Sequence, residues 1–351
     1  MLKLWDKLNN FVQQESCMFT ARDTVELMFP AAAILRVYNL VSGKEYFPEV
    51  DFIHHSGSRI IQRTKPSSMP YIPSEMMRPG EDAACFPVPG AMAVEGALDG
   101  GKLFFNNESF FAENQIVVDY RAEKIDFSPE LKSQNERLVR FRKMLAQQQE
   151  INITLLGDSI SEGFNASGYI GHEPFTPPYI VQTARYLEDR FRTSINLSNH
   201  AVNGTGCEYA VQHAAEWQNK KTDLLIIAYG MNDFQSISSE KFIAVNQQLI
   251  EICRRNNPEC EVVLINSMTG HEFWECTRPG HDLEFAEKVR QFVESSDSSI
   301  ALADVQKVWR KILEKKDFYD ISGNGVNHPN DYGHRVYASV LLQLLSGVDM
   351  F

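Results

Sequence analysis

The sequence predicts an α/β chain, a parallel β-sheet with helices on both faces, preceded by a smaller β-sandwich or jelly-roll-like domain. From Ile151 onward, short apolar runs alternate with segments of helical spacing, the pattern of βαβ units. Between about residues 20 and 123, strand-like runs are separated by Gly, Pro, Ser and Asn. At 351 residues the chain also exceeds the usual size of one domain. The expected division is a mostly-β accessory domain over 1–130, a linker helix over 131–149 and an α/β domain over 150–351.

In the first part, residues 33–38, 58–63, 102–105 and 115–120 read as strands, and the Pro- and Met-rich passage from Lys65 to Pro89 as a long loop or covering segment. Leu138, Phe141, Met144 and Leu145 place a helical stripe in the linker. Strands are then expected at 151–156, 194–199, 223–229, 260–267 and 299–303. Helices are expected near 178–192, 207–219, 238–256, 282–295, 304–315 and 332–346. In an open sheet of this kind ligands bind beyond the carboxyl ends of the strands.

A net charge of −12 argues against nucleic acid and anionic membrane surfaces as partners, because it repels both. No stretch approaches the roughly 20 apolar residues of a membrane span. The amphipathic start Met1–Asn10 lacks the apolar core of a secretory signal. Six scattered cysteines without a Cys-x-x-Cys pair read as reduced thiols, and a cytoplasmic location is expected. Metal-ligand spacing and phosphate-cradling Gly-rich motifs are both missing, so no cofactor and no metal are expected. The sequence leaves open whether the chain acts alone or as a homo-oligomer.

Four short blocks carry the chemistry. Gly157-Asp158-Ser159 ends the apolar run Ile151–Leu156, so a serine stands at the tip of a strand and at the start of a helix. Free N–H groups there can receive an oxyanion. Asp158-Ser159 alone is also an ordinary helix cap. Asn203-Gly204-Thr205-Gly206 follows the stretch 195–198, and Gly230-Met231-Asn232-Asp233 follows 223–229. Val326-Asn327-His328-Pro329 precedes the last helical pattern. Singly, the Asn-Gly and Asn-Asp blocks are common turns; their order is not common.

Across residues 150 to 347 these blocks resemble the SGNH hydrolases, or GDSL-type esterases and lipases, named for a serine, a glycine, an asparagine and a histidine. The matching residues are Ser159, Gly204, Asn232 and His328. The resemblance implies a flavodoxin-like sheet and a catalytic domain over 150–351. It implies Ser159 as nucleophile, His328 as general base and then acid, and an oxyanion hole of the Ser159 N–H, the Gly204 N–H and the Asn232 amide. Such a donor is worth about 3–4 kcal/mol of barrier in another hydrolase. His334 falls within the closing helical pattern and reads as structural.

The family usually places an aspartate three residues before the histidine, where this chain has Gly325. Three groups remain to orient the imidazole: a backbone carbonyl, Asp320 reaching back across the Gly-rich turn, or Asn324 through its amide oxygen. The carbonyl is preferred and Asp320 comes next. In a triad, aspartate to asparagine can cost about 10⁴ in turnover by selecting the wrong tautomer.

Asp158, Asn165 and Asn203 are candidate substrate-binding residues, with Glu162–Gly168 at the mouth. Trp274 is a candidate aromatic wall, and a buried core residue on the blander reading. The resemblance implies a serine esterase acting on small-molecule or carbohydrate esters, O-acetyl groups foremost. The alternatives are a lipase, thioesterase or acyl transferase on the same site, or a catalytically weak carbohydrate-binding protein.

Overall fold

The computed structural model describes residues 3–79, 92–95 and 97–351. Its first strands are β1 (Trp5–Asp6), β2 (Phe11–Cys17), β3 (Thr24–Tyr38), β4 (Glu45–Tyr46), β5 (Phe52–His54) and β6 (Ser58–Arg63). β7 (Met92–Glu95), β8 (Lys102–Phe105) and β9 (Ile116–Ala122) follow. β10 (Ile151–Gly157), β11 (Ile195–Asn199), β12 (Leu224–Ala228), β13 (Glu261–Ile265) and β14 (Ile300–Ala303) complete the described strands.

The N-terminal part is built on a seven-stranded antiparallel sheet with the path β1-β2-β9-β3-β6-β5 and β4 on β3, beside the hairpin β7-β8. Its axis is the long β3. The first half of β3 pairs with β6 and the second half with β9, and register shifts after Glu26 and Ala31 let one strand serve both partners. The expected strand at 33–38 is the end of this longer element. Its first half escapes the sequence pattern because Pro30 reads as a breaker. Of the passage 65–89, residues to Pro79 form a loop with one short helix, Ser74–Met77, and the rest lies outside the described residues.

The second sheet is parallel throughout, in the order β11-β10-β12-β13-β14. β12 and β13 are buried along their whole length, which is why Leu224–Ala228 and Val262–Ile265 read as unbroken apolar runs rather than alternation. Long helices at Tyr179–Phe191, Ser239–Asn256, His281–Ser295, Val305–Leu313 and Asp331–Ser346 fall where the periodicity put them. The chain reverses its winding direction at β10, the switch point where such sheets bind ligands.

The helix expected over 131–149 is shorter, Val139–Ala146. Leu138 turns into the left-handed region (φ 55°) just before it, and the buried Glu261 carboxylate caps its N-terminus by accepting from the Arg140 and Phe141 N–H groups at 3.1 and 2.6 Å. Upstream, the Gln134 side chain exchanges two hydrogen bonds with Leu302 and so pairs with the backbone of β14.

The two sheets share one contiguous apolar cluster that runs from Leu4 to Phe351. A buried ionic cluster also joins them. Lys316 Nζ lies 3.1 Å from Glu15 and 3.2 Å from Asp320, and Asp320 Oδ1 accepts the Met18 N–H at 2.7 Å. Cys253 and Cys260, seven residues apart in sequence, bring their thiols to 3.7 Å. Cys85 lies outside the described residues. Among the described residues no helix is long and apolar enough to cross a membrane, and no group of His, Cys, Asp and Glu is arranged to hold a metal ion.

Candidate active site

Ser159 opens the short helix Ser159–Glu162 directly after β10, capped by Asp158, whose Oδ1 accepts the Ile160 N–H at 3.1 Å. The turn is tight enough to require Gly157. A Cβ there would come within 2.6 Å of Ser161 and 3.0 Å of the Ala228 carbonyl. Ser159 is therefore held at the carboxyl end of β10, with an N–H that the helix itself leaves unused.

His328 reaches it from the loop before the closing helix. Its Nε2 lies 2.8 Å from Ser159 Oγ. Its Nδ1 lies 2.8 Å from Asn165 Oδ1, on the loop that follows the serine. The ring is buried, with Phe164 5.4 Å away between ring centres. Burial pushes the imidazole down to about 3, and the nearby His334 adds to the effect. Burial likewise brings His334 down to about 4; it accepts from Tyr179 N and bonds the Phe164 carbonyl, so it holds the backbone of the residue whose ring lies beside His328.

Neither of the named side chains expected to orient His328 reaches its ring, and the bond from Asn165 also displaces the preferred backbone carbonyl. Asp320 is consumed by Lys316, the Met18 N–H and the Asp317 N–H in the ionic cluster. Asn324 Oδ1 accepts three backbone N–H groups, from Val326, Asn327 and His328, at 2.9–3.0 Å, and so shapes the loop rather than the ring. At Gly325, where the family carries its acid, φ is +83° and a Cβ would stand 2.4 Å from Phe111 and 2.7 Å from the Phe104 carbonyl. The 104–111 segment of the N-terminal part fills the space an aspartate needs.

Gly204 and Asn232 follow β11 and β12, the neighbours of β10 on either side. Gly204 adopts φ +74°, and among the described residues no heavy atom lies within 4 Å of a Cβ position. Asn232 spends one amide hydrogen on the Thr205 carbonyl at 2.9 Å and keeps the second. Two carboxylates brace these loops. Asp233 accepts the Cys207 and Gly230 N–H groups at 2.9 and 3.0 Å. Glu162 accepts the Tyr169 hydroxyl at 2.5 Å and the Asn203 N–H at 2.7 Å.

Three proposed substrate contacts change character. Asp158 is buried beneath the serine, its carboxyl pushed up to about 7 by burial, and it caps rather than binds. Asn165 turns to His328 instead of the mouth. Trp274 is buried against Gly270 and pairs with Ala97; its neighbour Phe273 is the exposed aromatic, with Arg78 4.6 Å over its ring. The Asn203 side chain is exposed beside Gly204. A cavity of about 460 Å³ is lined by Asn165 together with residues of the N-terminal part and of the part that carries the parallel sheet, and Ser159 is not among its lining residues.

The fold and the four blocks define a serine ester hydrolase. A model of the GDSL-like Lipase/Acylhydrolase family matches residues 155–336, more than half of the chain, and the chain belongs to that family. No curated protein sequence matches it. Among solved structures it is similar to an acetylxylan esterase from Geobacillus stearothermophilus (18% identity, TM-score 0.46, 56% of this chain and 94% of that one). It is also similar to a two-domain esterase active on acetylated mannans (20%, TM-score 0.48, 64% and 58%). An α/β hydrolase from the metagenome of Lake Arreo, Spain, is a third (21%, TM-score 0.44, 56% and 94%).

Proposed function

We propose that the chain hydrolyses short-chain carboxylic esters, with O-acetyl groups on carbohydrate as the leading substrate class, through an acyl-enzyme on Ser159. The observation that carries this is the 2.8 Å contact from Ser159 Oγ to His328 Nε2 at the switch point of the sheet. His328 Nε2 takes the hydroxyl proton as Oγ bonds to the carbonyl carbon, and the oxyanion is received by the Ser159 N–H, the Gly204 N–H and the free Asn232 amide hydrogen. Collapse of this intermediate breaks the ester C–O bond, and His328 returns the proton to the leaving alcohol. Water then repeats the sequence on the acyl-enzyme and releases the acid.

The surroundings favour a small acyl group on a polar alcohol. Beside Gly204 the exposed side chains are Asn203 and Val202, with the Tyr169 phenol bound to Glu162, which is not the broad apolar surface a lipid needs. A charge of −12 suits a neutral substrate. The test is a nitrophenyl ester series from acetate to decanoate, together with acetylated oligosaccharides, on wild type and Ser159→Ala. Acetate release that disappears in Ser159→Ala and declines with chain length is expected. A preference for long chains would replace this reading with a lipase, acyl transfer to an added alcohol in place of hydrolysis would replace it with a transferase, and undiminished activity in Ser159→Ala would move the nucleophile.

A further inference from the structure

We infer that Asn165 is the positioning residue that sets the tautomer of His328, and that the N-terminal sheet domain takes part in the active site by holding Asn165 through the Asn107 carbonyl. The inference rests on the Ser159–His328 esterase reading and deepens it.

An asparagine beside a catalytic histidine is ambiguous, because its amide can present either an acceptor or a donor. With the oxygen facing Nδ1, the ring carries its proton on Nδ1 and leaves Nε2 free to take the serine proton. With the nitrogen facing Nδ1, the proton moves to Nε2 and the base is lost, the origin of the roughly 10⁴-fold penalty for asparagine in a protease triad. Here the ambiguity is removed. Asn165 Nδ2 donates to the Gly323 carbonyl at 3.1 Å and to the Asn107 carbonyl at 3.2 Å. A flipped amide would set its oxygen against two carbonyl oxygens and forfeit both bonds. Oδ1 therefore faces His328.

The clamp is built from both domains. Asn106 N donates to the Asn324 carbonyl at 3.2 Å, and Asn324 Nδ2 donates to Asn107 Oδ1 at 3.2 Å, which pins the 106–107 segment onto the histidine loop. Gly323 packs so closely that a Cβ there would meet Asn165 Cβ at 2.4 Å, and Asn165 itself holds φ 61°, a conformation asparagine tolerates. The domain that closes the space for an acid at 325 also supplies the carbonyl that keeps its replacement correctly turned.

The experiment combines ¹⁵N NMR of the His328 ring in the resting full-length protein, which reports the tautomer without any turnover, with steady-state kinetics. Asn165→Gly removes the acceptor without backbone strain. Asn165→Asp keeps an acceptor for Nδ1 and adds a charge, while giving up the two bonds that Nδ2 makes to the Gly323 and Asn107 carbonyls. For Asn165→Gly we expect a mixed tautomer and kcat lower by roughly 10²–10⁴-fold with KM within a few-fold of wild type. For Asn165→Asp the Nδ1–H tautomer persists and the acid limb of kcat/KM moves to higher pH, a change that a merely structural role would not produce. Asn107→Gly, which loosens the segment bearing the carbonyl, should cost roughly 10–100-fold in kcat, with partial tautomer mixing. A pure Nδ1–H tautomer and wild-type kcat in Asn165→Gly would overturn the assignment, and the same result in Asn107→Gly would remove the N-terminal domain from it. If wild type hydrolyses no ester, the esterase reading fails, while the tautomer measurement still decides this one.

Discussion

His328 Nδ1 and Asn165 Oδ1 are 2.8 Å apart, so the proposed base is steadied by a neutral amide from the loop that follows Ser159 rather than by an acid from the histidine's loop. An amide oxygen whose nitrogen is tied to two carbonyls can fix the ring, but it offers a dipole and not a charge to the imidazolium that forms during attack.

That difference sets the pH profile. Among the described residues no carboxylate contacts the ring, and the titratable group acting on it, His334 of the closing helix, is neutral above about 4. Burial holds His328 down to about 3, so the imidazole is neutral, the form the proposed base needs, across the neutral and mildly acidic range. We expect kcat/KM to show no fall near pH 6.5, the usual midpoint for histidine. Initial rates over short assays in the range where the fold persists would check this. An acid limb centred at 6–7 would mean that a carboxylate does reach the ring in solution.

The proposed oxyanion donors should separate by the character of their loss. Asn232→Ala is expected to lower kcat by roughly 10²–10³-fold with little change in KM, because the bond forms to the oxyanion and not to the ground state. Gly204→Ala places a methyl group in open space at φ +74°, at a backbone cost of about 1–2 kcal/mol. Its kinetic penalty should grow with acyl size, since that methyl competes with the acyl group. Equal penalties for acetate and butyrate esters would show that Gly204 does not face the acyl pocket.

Most of the architecture was legible because it follows from local pattern. The buried runs Leu224–Ala228 and Val262–Ile265, and the amphipathic helices between strands, announce a parallel sheet, and three of the four blocks fall at its strand ends. Asn165 was visible only as a polar residue near the mouth. Its role depends on Asn107 and Gly323, 58 and 158 residues away, and no spacing rule links such distant partners. Asp320 misled for the complementary reason: it lies close to His328 in sequence, but Lys316 and the Met18 N–H claim it in space.

Asp320→Ala should therefore read out in stability and not in catalysis. Removing one carboxylate from a buried cluster leaves the Met18 N–H without its acceptor and Lys316 with Glu15 as its remaining carboxylate. A loss of roughly 2–4 kcal/mol in denaturant unfolding is expected, with kcat/KM per folded molecule within a few-fold of wild type. A catalytic loss as large as that of His328→Ala would place Asp320 back in the triad.

Restoring the family's acid by Gly325→Asp should fail. The substitution forces an ordinary side chain into φ +83° and drives its Cβ to 2.4 Å from Phe111. Strain and overpacking together should cost roughly 2–5 kcal/mol. No gain in kcat is expected, and a faster, equally stable variant would show that the 104–111 segment yields more easily than its packing implies.

Asp158 gives a prediction about the stability of the fold itself. It is buried below the nucleophile, with the Asp233 carboxylate nearby and Tyr179, Tyr229 and Tyr337 around it; one oxygen takes the Ile160 N–H and the other has no hydrogen-bond partner among the described residues. Burial raises its carboxyl to about 7, above the roughly 3.9 of an unfolded chain. Below about pH 4 both states hold the proton and the folded state carries no penalty. Between about 4 and 7 the unfolded chain ionises while the folded one does not, so this residue's contribution falls as pH rises, and above about 7 the loss is complete. Asp158→Asn, which keeps an acceptor for the Ile160 N–H and cannot ionise, should unfold with a flatter pH dependence across that window. It should be more stable than wild type at pH 8, by roughly 2–4 kcal/mol. Urea unfolding of both proteins from pH 4 to 8 makes the comparison. A variant whose pH slope matches wild type would mean that Asp158 is already ionised in the folded protein at pH 5.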